Sequence, residues 1–447
     1  VGALNDLAAG LEDISRFSFV FGDVVIVNHP ELIHDVLVSK AKSFEKSPIL
    51  RSALHPLAGK GLFTSEGDLW KRQRKLMSPM FQPGALAPFA ADMVECAERA
   101  ASSWRNGQTL DIARETMHIA MGIAGKALFD MDTFSEADEL GEALTVALEW
   151  AGRESASAPL ILQARAQIGL GLLADRAPGA VAPLLKRWSD QLLEPILWPS
   201  ERTQNLKRAL AVLDARVTRM IAERREKTAG RRDLLSILLG AKDEHGKPAM
   251  SDQQVRDEVL TLFVAGHETT ATALAWALML LCQNPDTYAK LRAEVDALGG
   301  APTAADLPKL PYAAKVFKVY MFGRVATQDV HVGEHLLPKG TVVLVTPFAL
   351  QRRRDLYPDP LRFDPERFGE EQEDARHKCA FIPFSAGPRT CIGNYFALME
   401  GPLVLATLLA RADFELTDPR GSEPEPLATL RPRGGIAMRV SLRNHAS

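Results

Sequence analysis

Cysteine is scarce in this chain: four in 447 residues, at Cys96, Cys282, Cys379 and Cys391. None is spaced as C-x-x-C, and none stands in a zinc-like cluster with histidine. So sparse a set argues against a disulfide-built scaffold and an iron–sulfur cluster, and points to a reducing compartment, the cytoplasm. An excess of charge is lacking too. The formal net charge is −3, which gives no basis for nucleic-acid binding. No apolar run has the length that spans a bilayer. Val1 to Leu11 reads as neither signal peptide nor anchor, although the chain starts without Met. Internal repeats, low-complexity tracts and Gly-x-Gly-x-x-Gly fingerprints are all missing. What remains, 46% hydrophobic and 24% charged residues, is ordinary globular composition in a chain long enough for a large core.

Length alone suggests about three domains. No linker divides the chain, so the expectation is one domain over residues 1–447, mainly α with a minor β portion. The β-rich part is placed at about 17–30 and 324–346, plus short C-terminal strands. Phe19 to Asn28 predicts one strand, and His29-Pro30 opens a helix from Glu31 to Lys40. Gly67 to Met77 is helical, and from Ala85 to Arg225 helices dominate, broken near Pro178-Gly179, Pro195 and Pro199. The longest helix runs from a capping box at Ser251 and Gln254 to Asn284-Pro285. At about 1.5 Å per residue it spans roughly 48 Å. Tyr312 to Tyr320 also looks helical, Val330 to Val345 forms strands, and Asn394 to Arg411 is an amphipathic helix.

The chemistry concentrates just before that last helix, in Phe384-Ser385-Ala386-Gly387-Pro388-Arg389-Thr390-Cys391-Ile392-Gly393. The turn delivers a sulfur to a helix start, where the backbone dipole favours an anion. Gly387 and Gly393 let backbone approach a flat object closely. Arg389 offers a fixed charge for a carboxylate, and Phe384 can shield the sulfur. A buried structural cysteine in a turn is the plainer reading of Cys391. Within the long helix stands Ala265-Gly266-His267-Glu268-Thr269-Thr270. A glycine costs about 1 kcal/mol against alanine there, and threonine hydroxyls bond back to the helix and bend it. An acid beside an alcohol can relay protons; a kinked core helix is the plainer alternative. Trp70 and Arg74, four apart, share a helical face.

Phe-x-x-Gly-x-Arg-x-Cys-x-Gly, together with Ala-Gly-x-Glu-Thr-Thr upstream, resembles the haem-binding loop and oxygen groove of the cytochrome P-450 family. The resemblance runs from about Phe17 to the C-terminus. It implies a haem-thiolate monooxygenase, with haem b between the long helix and the helix after the cysteine loop. It implies Cys391 as the iron ligand, with Ala265, Gly266, Phe384, Arg389 and Gly393 around the haem. Trp70, Arg74 and Arg324 resemble the family's propionate contacts. Glu268 and Thr269 resemble the pair that delivers protons when O2 is activated. It further implies an apolar small-molecule substrate and an outside electron donor of ferredoxin or flavodoxin type, steered by Lys71, Arg72 and Lys75.

One family feature is missing. The usual Glu-x-x-Arg has no counterpart: from Asp306 to Asp329 there is no glutamate, and Lys318-Val319-Tyr320-Met321-Phe322 stands where the pair belongs. Its partner segment, Asp364-Pro365-Glu366-Arg367-Phe368, is present. A buried Arg367 without that glutamate would be a costly unpaired charge. Three alternatives to monooxygenation follow: a haem protein impaired in catalysis, a peroxide-using enzyme, and a helical binding protein without cofactor.

Overall fold

The computed structural model describes residues 10–19, 22–132, 137–226, 233–242, 245–315, 322–427 and 429–443. Its principal helices are α1 (Pro48–Ala58), α2 (Gly67–Met77), α3 (Ala90–Ser102), α4 (Ile112–Phe129), α5 (Ala137–Glu154), α6 (Ala158–Arg176), α7 (Ala182–Gln191), α8 (Glu201–Glu226), α9 (Asp252–Gln283) and α10 (Asn394–Arg411). The strands are β1 (Ile14–Phe19), β2 (Gly22–Val27), β3 (Phe44–Lys46), β4 (Thr109–Asp111), β5 (Phe322–Ala326), β6 (Val330–Val332), β7 (His335–Leu337), β8 (Val342–Val345), β9 (Ala412–Leu416), β10 (Pro424–Pro426), β11 (Leu430–Pro432) and β12 (Ala437–Leu442).

Helix α9 runs through the helical body, packed most extensively on α4 and also touching α1, α8 and α10. Its start is set by Ser251, whose hydroxyl accepts from Gln254 N–H at 3.2 Å. Gln254 Nε2 is buried without a partner among the described residues. Helix α10 has the predicted bounds but not the predicted character. Every residue from Met399 to Ala410 is buried, so it is a core helix, wrapped partly by α3. Each Leu or Val so buried contributes on the order of 1.5–3 kcal/mol.

The main sheet has the order β1-β2-β8-β5-β3, with β2 and β8 parallel and the other pairs antiparallel. Val342, Val343 and Val345 of β8 are buried, as a β-branched run in a sheet's centre should be. The sheet encloses a second, smaller apolar cluster that includes Val25, Val27, Ile33 and Phe44. The single N-terminal strand expected from the sequence is in fact a hairpin, β1 paired to β2. A three-stranded sheet, β4-β12-β9, and the hairpins β6-β7 and β10-β11 complete the β part. Of the helix expected over 312–320, Pro311–Lys315 is helical, and residues 316–321, including most of the segment lacking Glu-x-x-Arg, lie outside the described residues. Among the described residues no helix is long and apolar enough to cross a membrane.

Candidate active site

The cysteine loop closes on itself. Cys391 N–H donates to Phe384 O at 2.9 Å, and Thr390 Oγ1 donates to Gly387 O at 2.7 Å. Gly387 has φ +70, and a Cβ there would stand 1.9 Å from Leu37 O, so only glycine fits this corner. Ser385 also takes a positive φ, 62. Gly393, the residue before α10, faces open space: a Cβ there would meet nothing within 4 Å. Cys391 is exposed by accessible surface, although protein crowds its thiol. Burial pushes that thiol up from its ordinary pKa, while the Gly393 N–H and the Arg74 charge pull it down. A bound metal cation would favour the thiolate form of such a sulfur. The other three cysteines are ordinary packing residues. Burial lifts Cys96 and Cys282 to about 12 and raises Cys379.

Beside the loop is a concentration of positive charge. Lys46 on β3 lies directly opposite Arg324 on β5, an arrangement of like charges that destabilises a sheet unless an anion answers it. Arg389 joins them, its Nη1 donating to Phe44 O at 2.6 Å and its Nη2 to Glu66 at 2.5 Å. Lys46 Nζ stands 3.9 Å from the same Glu66 carboxylate. Burial lowers Lys46 to about 7 and Arg324 to about 10. Arg389 Nε is buried with no hydrogen-bond partner among the described residues. The Trp70 ring lies 5.2 Å from the Arg389 guanidinium and 5.7 Å from Lys46 Nζ, so indole and cations form one group. Three cations around one carboxylate, a donor still unused, and a cysteine opening on free space suit a flat dianion whose metal takes the sulfur. Haem b fits that description.

Lys46 and Glu66 carried no motif in the sequence. The clue was the pairing of β3 with β5, which brings together residues far apart along the chain.

Helix α9 presents two different faces. Ala265 is exposed and Thr269, four residues on, is half-buried; Thr269 Oγ1 donates back to Ala265 O at 2.8 Å. The helix is continuous through this point. Gly266 turns toward α4, where a Cβ would meet Ala124 and Leu128 at 3.8 Å. Glu268 is buried on another face, held by Arg431 through bonds of 2.6 and 2.7 Å and by Thr429 at 2.6 Å. Burial pushes its pKa up, but Arg431 more than offsets this, and the carboxyl lies below its ordinary value. Glu268 and Thr269 are thus neighbours in sequence that point in different directions. His267 is buried with Nδ1 2.6 Å from Phe263 O, outside the group.

Arg367 departs from expectation. It is half-buried, and its guanidinium donates to the carbonyls of Asp364, Pro358, Asp359 and Arg362 at 2.9–3.3 Å. Four carbonyls satisfy it without a glutamate.

Comparison with known proteins shows the family and the fold. A family model for cytochrome P450 matches residues 2–158 and 184–439. Cyclooctatin synthase of Streptomyces melanosporofaciens is 33% identical over 422 residues, covering 92% of this chain and 83% of that protein. Cyclooctat-9-en-7-ol 5-monooxygenase of the same organism is 33% identical over 396 residues, covering 86% and 78%. Among solved structures, the cytochrome P450DA heme domain superposes with a TM-score of 0.80 at 24% identity, covering 99% of this chain and 92% of that one. The chain belongs to the cytochrome P450 family. It is a haem b-dependent cytochrome P450 monooxygenase, and as such requires O2, an organic substrate and a redox partner.

Proposed function

We propose that the chain, as one unit over residues 1–447, hydroxylates an apolar small molecule, with Cys391 as the iron ligand and electrons from a separate ferredoxin or flavodoxin-type donor. The observation that carries this is Cys391, an exposed residue two positions after Arg389 of the Lys46–Arg324–Arg389–Trp70 group. Bound there, haem b supplies an iron centre at which O2 is reduced and one oxygen atom is transferred to a C–H bond. With haem b bound, Cys391 would be the ligand whose sulfur supplies electron density to the iron, the chemistry that favours O–O cleavage. Lys46, Arg324 and Arg389 hold the two carboxylates, and Trp70 N–H assists. Arg74, whose charge is felt at Cys391, stabilises the sulfur as an anion. Phe384 limits water near it. Ala265 and Gly393 leave room for the ring, whereas Gly266 faces α4. Thr269 presents a hydroxyl that would pass protons to the reacting oxygen; Glu268, on another face of α9, would recharge it only once its side chain leaves Arg431. The apolar substrate is supported by two relatives named for oxidising cyclooctat-9-en-7-ol and pentalenene. The impaired-enzyme alternative loses its motive, because Arg367 has its partners.

The test is turnover of apolar substrates under labelled dioxygen with a reconstituted donor. One labelled oxygen in the product supports monooxygenation. Thr269→Ala should divert most electrons to peroxide while substrate binding persists; a fully coupled Thr269→Ala enzyme would contradict the relay.

A further inference from the structure

Arg51 of α1, Arg324 of β5 and Arg389 of the cysteine loop all press their charge on Lys46 of β3. Among the described residues the carboxylate that meets this group is Glu66. It accepts from the Lys46 backbone N–H at 2.7 Å and from Arg389 at 2.5 Å. Glu45 precedes Lys46 on β3 and so points to the strand's opposite face. Glu258 of α9 is joined to Lys46 through Leu62, whose N–H donates to Glu258 at 2.9 Å and whose carbonyl accepts from Lys46 Nζ at 3.0 Å. Asp257, beside Glu258, is taken up by Arg256, Gln253 and the Lys60 N–H. Burial raises Glu45 and Glu258 above the ordinary carboxylate value, Glu258 to about 8, so Glu258 is mostly uncharged at neutral pH. The group therefore holds more positive charge than its acids answer.

That excess has one outlet. A guanidinium keeps its proton in proteins, whereas a buried ammonium sheds its own readily. The partners of Lys46 Nζ point the same way. Its bonds run to Leu62 O at 3.0 Å and Ser65 O at 2.6 Å, which use both N–H groups of a neutral amine. A third N–H exists only in the ammonium. The Glu66 carboxylate stands 3.9 Å away, beyond hydrogen-bond reach, and the Lys46 side chain is 12% exposed, so water offers it little. Burial, helped by the three arginines against Glu66, lowers the amine to about 7, in keeping with this count.

We propose that Lys46 is a proton-linked latch on the cofactor: its amine stands neutral in the haem-free fold and takes up a proton when a haem carboxylate arrives. The inference rests on the reading that places the haem carboxylates at the Lys46–Arg324–Arg389 group. The proton comes from solvent and forms the third N–H bond, which the carboxylate accepts; no electron moves. A carboxylate so placed raises the affinity of Lys46 for its proton, so the bound state holds it to higher pH than the free state. The contribution of Lys46 to haem affinity is therefore complete below about 7 and is lost as pH rises above it. Arg324 and Arg389 keep their charge throughout and give the part of the affinity that does not change with pH. As Lys46 becomes charged, Glu258 across Leu62 is drawn toward ionisation, which returns part of the proton.

A proton count tests this without turnover. The full-length chain, freed of haem, is titrated by calorimetry at pH 8 with haem b and with its dimethyl ester, in phosphate and in Tris buffer. The ester offers Cys391 the same iron but has no carboxylate, so proton loss from the thiol cancels between the two ligands. The wild type should take up more than about half a proton more with haem b than with the ester. Lys46→Arg and Lys46→Gln should show no such difference, the first because its charge is fixed and the second because it has none. In the same way, the haem affinity of the wild type relative to Lys46→Arg should fall about tenfold for each pH unit above about 8, read by partition of haem from the holoenzyme to serum albumin. Equal proton counts for haem b and ester in the wild type, with haem b bound more tightly than the ester and weakened by Arg324→Gln, would overturn the latch and leave the carboxylate site standing. Haem b and ester bound alike, and indifferent to Arg324→Gln, would remove the site itself.

Discussion

Glu400 shows what a single residue contributes. It is buried in α10, and burial lifts its pKa to about 8 against the pull of nearby Thr270 on α9. Glu258 is lifted to about 8 by burial as well, against the pull of the Leu62 N–H. Both begin from an ordinary value of 4.5, so the folded protein binds more protons than the unfolded chain between about 4.5 and 8. Their contribution is complete below 4.5 and is lost as pH rises through 8. Glu400→Gln, which mimics the protonated acid, should melt near the wild type at pH 5 and above it at pH 8. Thermal melts at the two pH values decide this; equal melting differences at both would mean that Glu400 is charged in the folded state.

At the level of elements, the cysteine loop and the β10-β11 hairpin have different vulnerabilities. Gly387→Ala would push a Cβ into Leu37 O at a positive φ, and should cost on the order of 1–3 kcal/mol together with much of the bound haem. Melting temperature and haem content of the purified variant measure this. Gly393→Ala, with open space on its side, should fold normally and lose haem affinity alone. Helix α9 was legible because its Ser251 cap and the Asn284-Pro285 break mark both ends, and α2 because its apolar period is clear, whereas α10 was legible in its bounds but not in its all-round burial. The β1-β2 hairpin was not, because Gly22-Asp23 reads as the middle of one strand when it is the start of the second. The cysteine loop was legible as a local motif. The cation group was legible only at Trp70, Arg324 and Arg389, since Lys46 joins it through strand pairing. Arg431 could not be read, because its partner Glu268 is 163 residues away and no local pattern links them. The expected unpaired Arg367 failed for a related reason: backbone carbonyls have no letter in a sequence.

For the molecule as a whole, the distribution of charge matters more than its sum. The net charge is −3, yet Lys71, Arg72 and Lys75 are all exposed along α2, the helix that also carries Trp70 and Arg74. We propose that this patch steers an acidic electron donor. Reversing the three charges to glutamate should slow donor-dependent reduction about tenfold or more, and added salt should slow the wild type toward the same rate. Stopped-flow reduction at several ionic strengths checks both; reduction indifferent to charge and salt would move the docking face elsewhere. The central claim is that the chain holds haem through the Cys391 sulfur. The reduced, carbon-monoxide-bound absorption spectrum tests it most directly. The account predicts the red-shifted Soret band of a thiolate-ligated haem in the wild type, and its loss in Cys391→Ala. A wild-type spectrum of the imidazole-ligated kind, or a thiolate band that survives in Cys391→Ala, would contradict it.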